Sequence, residues 1–271
     1  MGFSQHSYKV TCANKRMFFA KYFDDQHSNA AAIEREVLQS SQALSITLPL
    51  VYADTKWLIT PFVDNNTLAQ TSMSSTNKIM LTLDLMLGFQ KIPLTSACVK
   101  SINFIEILKF YRDKLQLNPT CVAVLTPLLN VSLANEALLV LSHGDLNFSN
   151  ILMADQGQQR ATLIDFECCC YAEAEYDIAM MFAINNLVES YLFTDVFKSV
   201  SHYLATHNVK LSKEKVTRYL SISLIINALW YLDKFKLTTD KKWLVLAREQ
   251  LTQAETLKVT QYNLMELLLP S

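Results

Sequence analysis

The side chains best suited to chemistry cluster between positions 143 and 167. The run His143-Gly144-Asp145-Leu146-Asn147-Phe148-Ser149-Asn150 places an imidazole, a carboxylate and an amide on one short segment. Asp165 follows fifteen residues after Asn150, within Ile164-Asp165-Phe166-Glu167. A loop carboxylate can orient a hydroxyl group and take its proton. The side-chain oxygens of one Asn and one Asp suit a hard cation such as magnesium, which takes few protein ligands. A lone H-x-D-x-x-x-x-N run arises by chance in roughly one chain of this length in a hundred, at average residue usage. An apolar strand ending in Asp-aromatic soon afterwards makes coincidence far rarer. The plain alternative is that His143 and Asp145 are hydrogen-bonded loop residues of an ordinary α+β domain.

The elements around this segment must hold it open. Residues 151–153 and 161–166 predict two short strands around an Asp-Gln-Gly-Gln-Gln turn. In the first 60 residues, 8–13 and 17–23 predict a hairpin turning at Asn14-Lys15. A helix over 29–44 follows, capped by Ser28 or Asn29, and then two strands separated by Asp54-Thr55. Residues 61–66 (PFVDNN) are polar and turn-rich and predict a connector. Helical spacing then governs 77–91 and 101–115, with one or two helices between 120 and 140. It returns over 175–206, broken near 189, and over 213–259, broken near 238. The expectation is an α+β chain: a small β-rich lobe (1–60), a hinge (61–66) and a large, mainly helical lobe (67–271).

Composition narrows the functional classes. Apolar residues make up 51% and charged residues 18%, a globular balance with a net charge of −1. No basic surplus points to nucleic acid, and no polybasic block points to an anionic membrane. The start, MGFSQHSYKV, lacks the charged region and apolar stretch of a signal peptide, and His6 breaks the myristoylation pattern. No apolar run reaches the length of a membrane span, so a cytoplasmic location is the default. Six cysteines, three of them consecutive at 168–170, include no C-x-x-C pair; buried, reduced thiols are expected rather than a zinc site.

His-Gly-Asp-Leu-Asn-Phe-Ser-Asn followed by Leu-Ile-Asp-Phe-Glu resembles the catalytic core of the protein-kinase-like fold. It is most similar to the aminoglycoside phosphotransferase and choline kinase branch, which prefers His-Gly-Asp to His-Arg-Asp. The resemblance implies a bilobal fold, ATP and Mg²⁺ as cofactors, and a small-molecule acceptor. Asp145 would orient the acceptor hydroxyl and take its proton. Asn150 and Asp165 would be the metal ligands. Such a fold needs a lysine on a small-lobe strand paired with a glutamate on the following helix. Lys21 fits the first role and Glu36 the second, with Glu34 as the fallback. Segment 2–10 resembles the phosphate-covering loop of choline and thiamine kinases, which assigns Ser4 to the nucleotide, although Gln5 replaces the usual Asn. Residues 55–68 (TKWLITPFVDNNTL) resemble the strand, hinge and first helix entry that hold adenine, near Thr60, Phe62 and Val63. Asn65-Asn66 stands where the family has an acidic-Gly pair.

For the acceptor, Glu167 matches the Ile-Asp-Trp/Phe-Glu pattern of choline and thiamine kinases and suits a positively charged substrate. Trp230 and Asp233 share one face of a late helix and could hold a quaternary or aromatic cation, unless they are core residues. A cationic alcohol of the thiamine or choline type is expected. The alternatives are an amino-sugar or envelope-sugar kinase, and a kinase-shaped nucleotide-binding protein without turnover.

Overall fold

The computed structural model describes residues 6–24, 27–94, 98–131, 139–153, 161–193, 195–258 and 262–269. These fall into two compact units. The first comprises 1–101 with 140–171, and the second 102–139 with 172–271. The expected hinge at 61–66 therefore lies inside the first unit.

The first unit opens with strands β1 (His6–Thr11) and β2 (Met17–Tyr22), joined by a turn in which Lys15 takes the left-handed conformation. The Asn14 side chain accepts the Arg16 N–H, which is why this polar pair reverses the chain. Helix α1 (Ser28–Ser40) follows; it ends at Ser40 rather than 44, and a short 3₁₀ turn covers 42–44. Strands β3 (Tyr52–Ala53) and β4 (Trp57–Pro61) are joined by a turn built on Asp54, whose Oδ1 accepts the N–H groups of Lys56 and Trp57 at 2.8 and 2.7 Å. The four strands form one antiparallel sheet in the order β1-β2-β4-β3, with Lys21 opposite Leu58.

Helix α2 (Ser75–Phe89) starts where Ser74 accepts the Asn77 N–H, and it buries Ile79, Leu83, Met86 and Phe89. In the second unit, α3 (Phe104–Leu115) begins at an Asn103 cap, and α4 (Pro119–Leu129) begins at an Asn118 cap with Pro at the first helical position. The chain then returns to the first unit. Strand β5 (Val140–Ser142) pairs with β8 (Cys170–Ala172), and β6 (Ile151–Leu152) forms a hairpin with β7 (Thr162–Leu163).

The rest of the second unit is helical: α5 (Ala174–Ile184), α6 (Val188–Phe193), α7 (Val196–Thr206), α8 (Lys213–Thr238), α9 (Lys241–Thr256) and α10 (Leu264–Leu268). The central helix α8 packs on α3, α5 and α9. Tyr219 of α8 and Tyr176 of α5 meet Phe104 of α3 at centroid distances of 5.9 and 5.6 Å. A chain of amides runs from the buried Asn227 and Gln250 to the exposed Asn186. Asn227 Nδ2 donates to Gln250 Oε1 at 3.2 Å, and Gln250 Nε2 donates to Asn186 Oδ1 at 3.2 Å.

Among the described residues no helix is long and apolar enough to cross a membrane. All six cysteines are free thiols. Cys121, Cys169 and Cys170 are buried as expected, but Cys12 and Cys168 are exposed, because both sit at turns.

Candidate active site

The site is assembled within the first unit from four local structures. The first is the turn after β5. His143 is fully buried between Phe89 and Phe166, at centroid distances of 5.5 and 5.3 Å, and these two phenyl rings stack on each other at 5.7 Å. Its ring nitrogens have divided roles. The Asp145 N–H donates to Nδ1 at 3.3 Å, and Nε2 lies 3.1 Å from the Ile164 carbonyl, to which it donates as N–H. That arrangement requires the neutral ring. Burial pushes the imidazole pKa down to about 4, against the upward pull of Asp165. One neutral histidine thus ties the segment bearing Asp145 to the segment bearing Asp165.

Between His143 and Asp145 the chain needs glycine. Gly144 has φ +76°, and a Cβ there would stand 2.3 Å from the Cys168 carbonyl oxygen. The His-Gly-Asp form of the motif is therefore imposed by close approach of the backbone at Cys168.

The second local structure is the β6–β7 hairpin. Asn150 precedes β6, Asp165 follows shortly after β7, and the Ile164 N–H donates to the Asn150 carbonyl at 3.0 Å. The hairpin thus closes a fifteen-residue separation and brings both side chains to its base. Asn150 Nδ2 donates to the Asp145 carboxylate at 2.8 Å and to its backbone carbonyl at 3.1 Å. Its amide nitrogen is thus turned toward Asp145, which leaves Oδ1 directed elsewhere. Asp165 has φ +68°, a left-handed conformation that costs a non-glycine residue energy but that Asp tolerates better than most.

The third and fourth are β2 and α1, which supply an ammonium and a carboxylate. Lys21 Nζ lies 2.8 Å from Glu34 Oε2, 2.7 Å from Asp165 Oδ1 and 3.5 Å from Glu167 Oε2. Burial opposes the charge on Lys21, but these three carboxylates outweigh it and hold the pKa above its ordinary value. Burial raises the Glu34 pKa, with Lys21 pulling it the other way.

The partner of Lys21 is Glu34, not the favoured Glu36. The buried face of α1 carries Ala31, Ile33, Val37 and Leu38, and Glu34 falls among them. Glu36 lies roughly 160° around the helix from Glu34, at about 100° per residue.

The structure therefore brings Lys21, Glu34, Asp165 and Glu167 into one ionic cluster, and Asn150 and Asp145 into a second hydrogen-bonded pair. The other sequence candidates stand differently. Ser4 lies outside the described residues. Thr60 is buried in β4, and the Phe62 N–H is spent on the Met17 carbonyl at 3.0 Å, while Val63 follows the end of β4. Trp230 and Asp233 belong to α8 in the second unit. There Asp233 lies 3.4 Å from Lys114 Nζ, Lys234 Nζ sits 5.1 Å from the Trp230 ring, and Trp243 meets Trp230 edge-on at 5.6 Å.

The donor set fits a hard divalent cation. One ammonium faces three carboxylates, so the cluster carries surplus negative charge, and Asn150 Oδ1 and the second oxygen of Asp165 are hard ligands. Among the described residues no three His, Cys, Asp or Glu groups converge to form a closed metal cage.

Sequence and structure comparisons bear on this site. The sequence model of choline/ethanolamine kinases matches residues 113–255, just over half the chain and including Asp145, Asn150 and Asp165. No curated protein matches the sequence. Among solved structures, the chain resembles the choline kinase LicA from Streptococcus pneumoniae, with a TM-score of 0.68 and 16% identity over 94% of this chain and 92% of that one. It also resembles the Plasmodium vivax ethanolamine kinase, with a TM-score of 0.64 and 17% identity over 94% and 80%. A third likeness is to amicoumacin kinase hAmiN, solved with AMP-PNP and Ca²⁺, with a TM-score of 0.65 and 13% identity over 98% and 90%. At these identities the likeness establishes the kinase-like α+β fold.

Proposed function

From the premise that this chain belongs to the choline/ethanolamine kinase family, and is therefore a small-molecule kinase, we propose that it moves the terminal phosphoryl group of ATP, with Mg²⁺, to the hydroxyl of a cationic alcohol of the choline or thiamine type. The observation that carries this reading is the convergence on Lys21 and Asp145. Lys21 is held at 2.7 Å from Asp165, and Asp145 is held at 2.8 Å from Asn150.

In this reading each residue has a separate task. Asp145 orients the acceptor hydroxyl and accepts its proton. The Asn150 amide keeps that carboxylate in one rotamer, and its own carbonyl oxygen would be the atom offered to the cation. Asp165 and Asn150 would hold the cation, which when bound neutralises phosphate charge. Lys21, aimed by Glu34, would hold the phosphates. Backbone groups near Thr60 and Val63 would meet the base, and Ser4 would cover the phosphates. The division into lobes 1–60 and 67–271 about a hinge at 61–66 belongs to this proposal, as do Glu167 as a recognition group for the acceptor's positive charge and a cytoplasmic site of action.

A second reading, an amino-sugar or envelope-sugar acceptor, is favoured by one observation. Asp233 and Trp230, the expected cation-binding pair, already face the chain's own Lys114 and Lys234.

The test is phosphate transfer from ATP to a panel of choline, ethanolamine, thiamine and amino sugars, with Asp145→Ala as the comparison. The variant should lose turnover by at least about a hundredfold while MgATP binding is kept. Unchanged turnover in Asp145→Ala overturns the assigned role. MgATP-induced thermal stabilisation without product on any acceptor overturns the kinase assignment in favour of a nucleotide-binding protein.

A further inference from the structure

The Lys21 face of the four-stranded sheet carries a second cation. Side chains alternate along a strand. Lys9 lies opposite Phe19 and Ser7 lies opposite Lys21, so Lys9 shares the face of Phe19 and Lys21. Thr60 lies opposite Phe19 from β4, which makes Lys9, Phe19 and Thr60 one row across the sheet. The two ammonium groups are held differently. Lys21 is buried against Glu34, Asp165 and Glu167. Lys9 is exposed, and among the described residues no ion pair holds it. Its Nζ instead rests 4.1 Å from the centre of the Phe62 ring. Phe62 stands one row beyond, with its N–H on the Met17 carbonyl. At about 3.3 Å per residue, the row of Lys9 lies about 7 Å from that of Lys21, and the row of Met17 about 13 Å.

A nucleotide that lays its phosphates on Lys21 and its base against the backbone near Thr60 and Val63 must pass along the middle row. On that nucleotide reading, from which this follows, we propose that Lys9 is a base-binding residue. Its alkyl stem covers one face of a purine, and its ammonium makes a cation–π contact with that ring as it does with Phe62. Direction decides between base and phosphate. The ammonium reaches toward Phe62, away from the row of Lys21, so it serves the base end. Availability supports the same role. No carboxylate among the described residues neutralises the charge, and the long flexible stem lets the ammonium pass from a phenyl ring to an adjacent purine while its methylenes stay packed. A cation–π contact strengthens when the surrounding rings exclude water, as a base in the middle row would do. The contact reads a flat π surface rather than a pattern of hydrogen-bonding groups, so Lys9 adds affinity for purines without selecting adenine.

Isothermal titration of the full chain with MgATP, adenosine and magnesium tripolyphosphate provides the test, on the wild type, Lys9→Met and Lys9→Ala. Lys9 is exposed, and circular dichroism melting verifies that both variants fold. Lys9→Met keeps most of the stem and removes the cation; Lys9→Ala removes both. Affinity for adenosine and for MgATP should fall together, by about threefold in Lys9→Met and about tenfold in Lys9→Ala. Affinity for tripolyphosphate, which has no base, should stay within about twofold in both variants, since the phosphate end belongs to Lys21. Adenosine binding that is unchanged in Lys9→Ala overturns the proposal. So does a loss of tripolyphosphate affinity equal to the loss for MgATP, because Lys9 would then act on phosphate charge. A wild type that binds neither MgATP nor adenosine overturns the nucleotide reading itself, and the role of Lys9 falls with it.

Discussion

Acidification should loosen this protein through one residue, His143. The ring is buried and neutral, accepts the Asp145 N–H and donates to the Ile164 carbonyl. In the unfolded chain it titrates near 6.5, and in the fold near 4. Because its folded pKa is depressed, the unfolded chain binds the proton more readily between these values. The stability that the neutral ring contributes is therefore complete above about 6.5 and lost as pH falls toward 4. The loss amounts to about 3 kcal/mol, at 1.36 kcal/mol per pKa unit. His143→Asn isolates this contribution, since Asn Oδ1 can still accept the Asp145 N–H but does not titrate. At pH 7 the variant should be less stable by about 1–3 kcal/mol, from the lost bond to Ile164 and the lost ring packing. Toward pH 4.5 that difference should shrink or reverse, because only the wild type is penalised by protonation. Urea unfolding of both proteins at closely spaced pH values measures it. A wild-type-minus-variant difference that stays constant from pH 7 to 4.5 would refute the reasoning.

Other expectations follow from the same geometry. Gly144→Ala forces a Cβ to 2.3 Å from the Cys168 carbonyl in a left-handed conformation, so thermal melting should show a loss of about 3 kcal/mol or more, or no soluble protein at all. Glu34→Gln should lower kcat by at least about tenfold by releasing Lys21, whereas Glu36→Gln should leave it within about twofold; equal losses in a steady-state assay would contradict the pairing. Asn150→Ala frees the Asp145 carboxylate, so the concentration of divalent cation needed for half-maximal turnover should rise by about tenfold or more, and an unchanged requirement would count against Asn150.

The legible and illegible parts of this molecule divide along a physical line. Helical spacing and caps are local, so α2, α3, α8 and α9 could be placed closely, as could the hairpin turning at Asn14-Lys15. The partner of Lys21 was also legible, but only through the phase of α1: Ile33, Val37 and Leu38 mark one face, and Glu34, not Glu36, sits within it. The need for glycine at 144 was beyond reach, because its cause is a carbonyl twenty-four residues later. The adjacency of Asn150 and Asp165, by contrast, was legible in the two short apolar strands expected at 151–153 and 161–166, which pair as a hairpin two residues long on each side. The exposure of Cys168 beside two buried cysteines was hidden, since turn geometry rather than composition decides it.

The amide relay through Asn227, Gln250 and Asn186 has a consequence for how the second unit can diverge. Asn227 and Gln250 take their orientation from each other in the interior, so truncating either strands a donor or acceptor there, whereas Asn186 ends the relay at the surface. Replacing Asn227 and Gln250 together by apolar groups of matching shape restores what single changes destroy. Substitution at positions 227 and 250 should therefore be strongly epistatic, and descendants that have abandoned one of these two amides should have abandoned both.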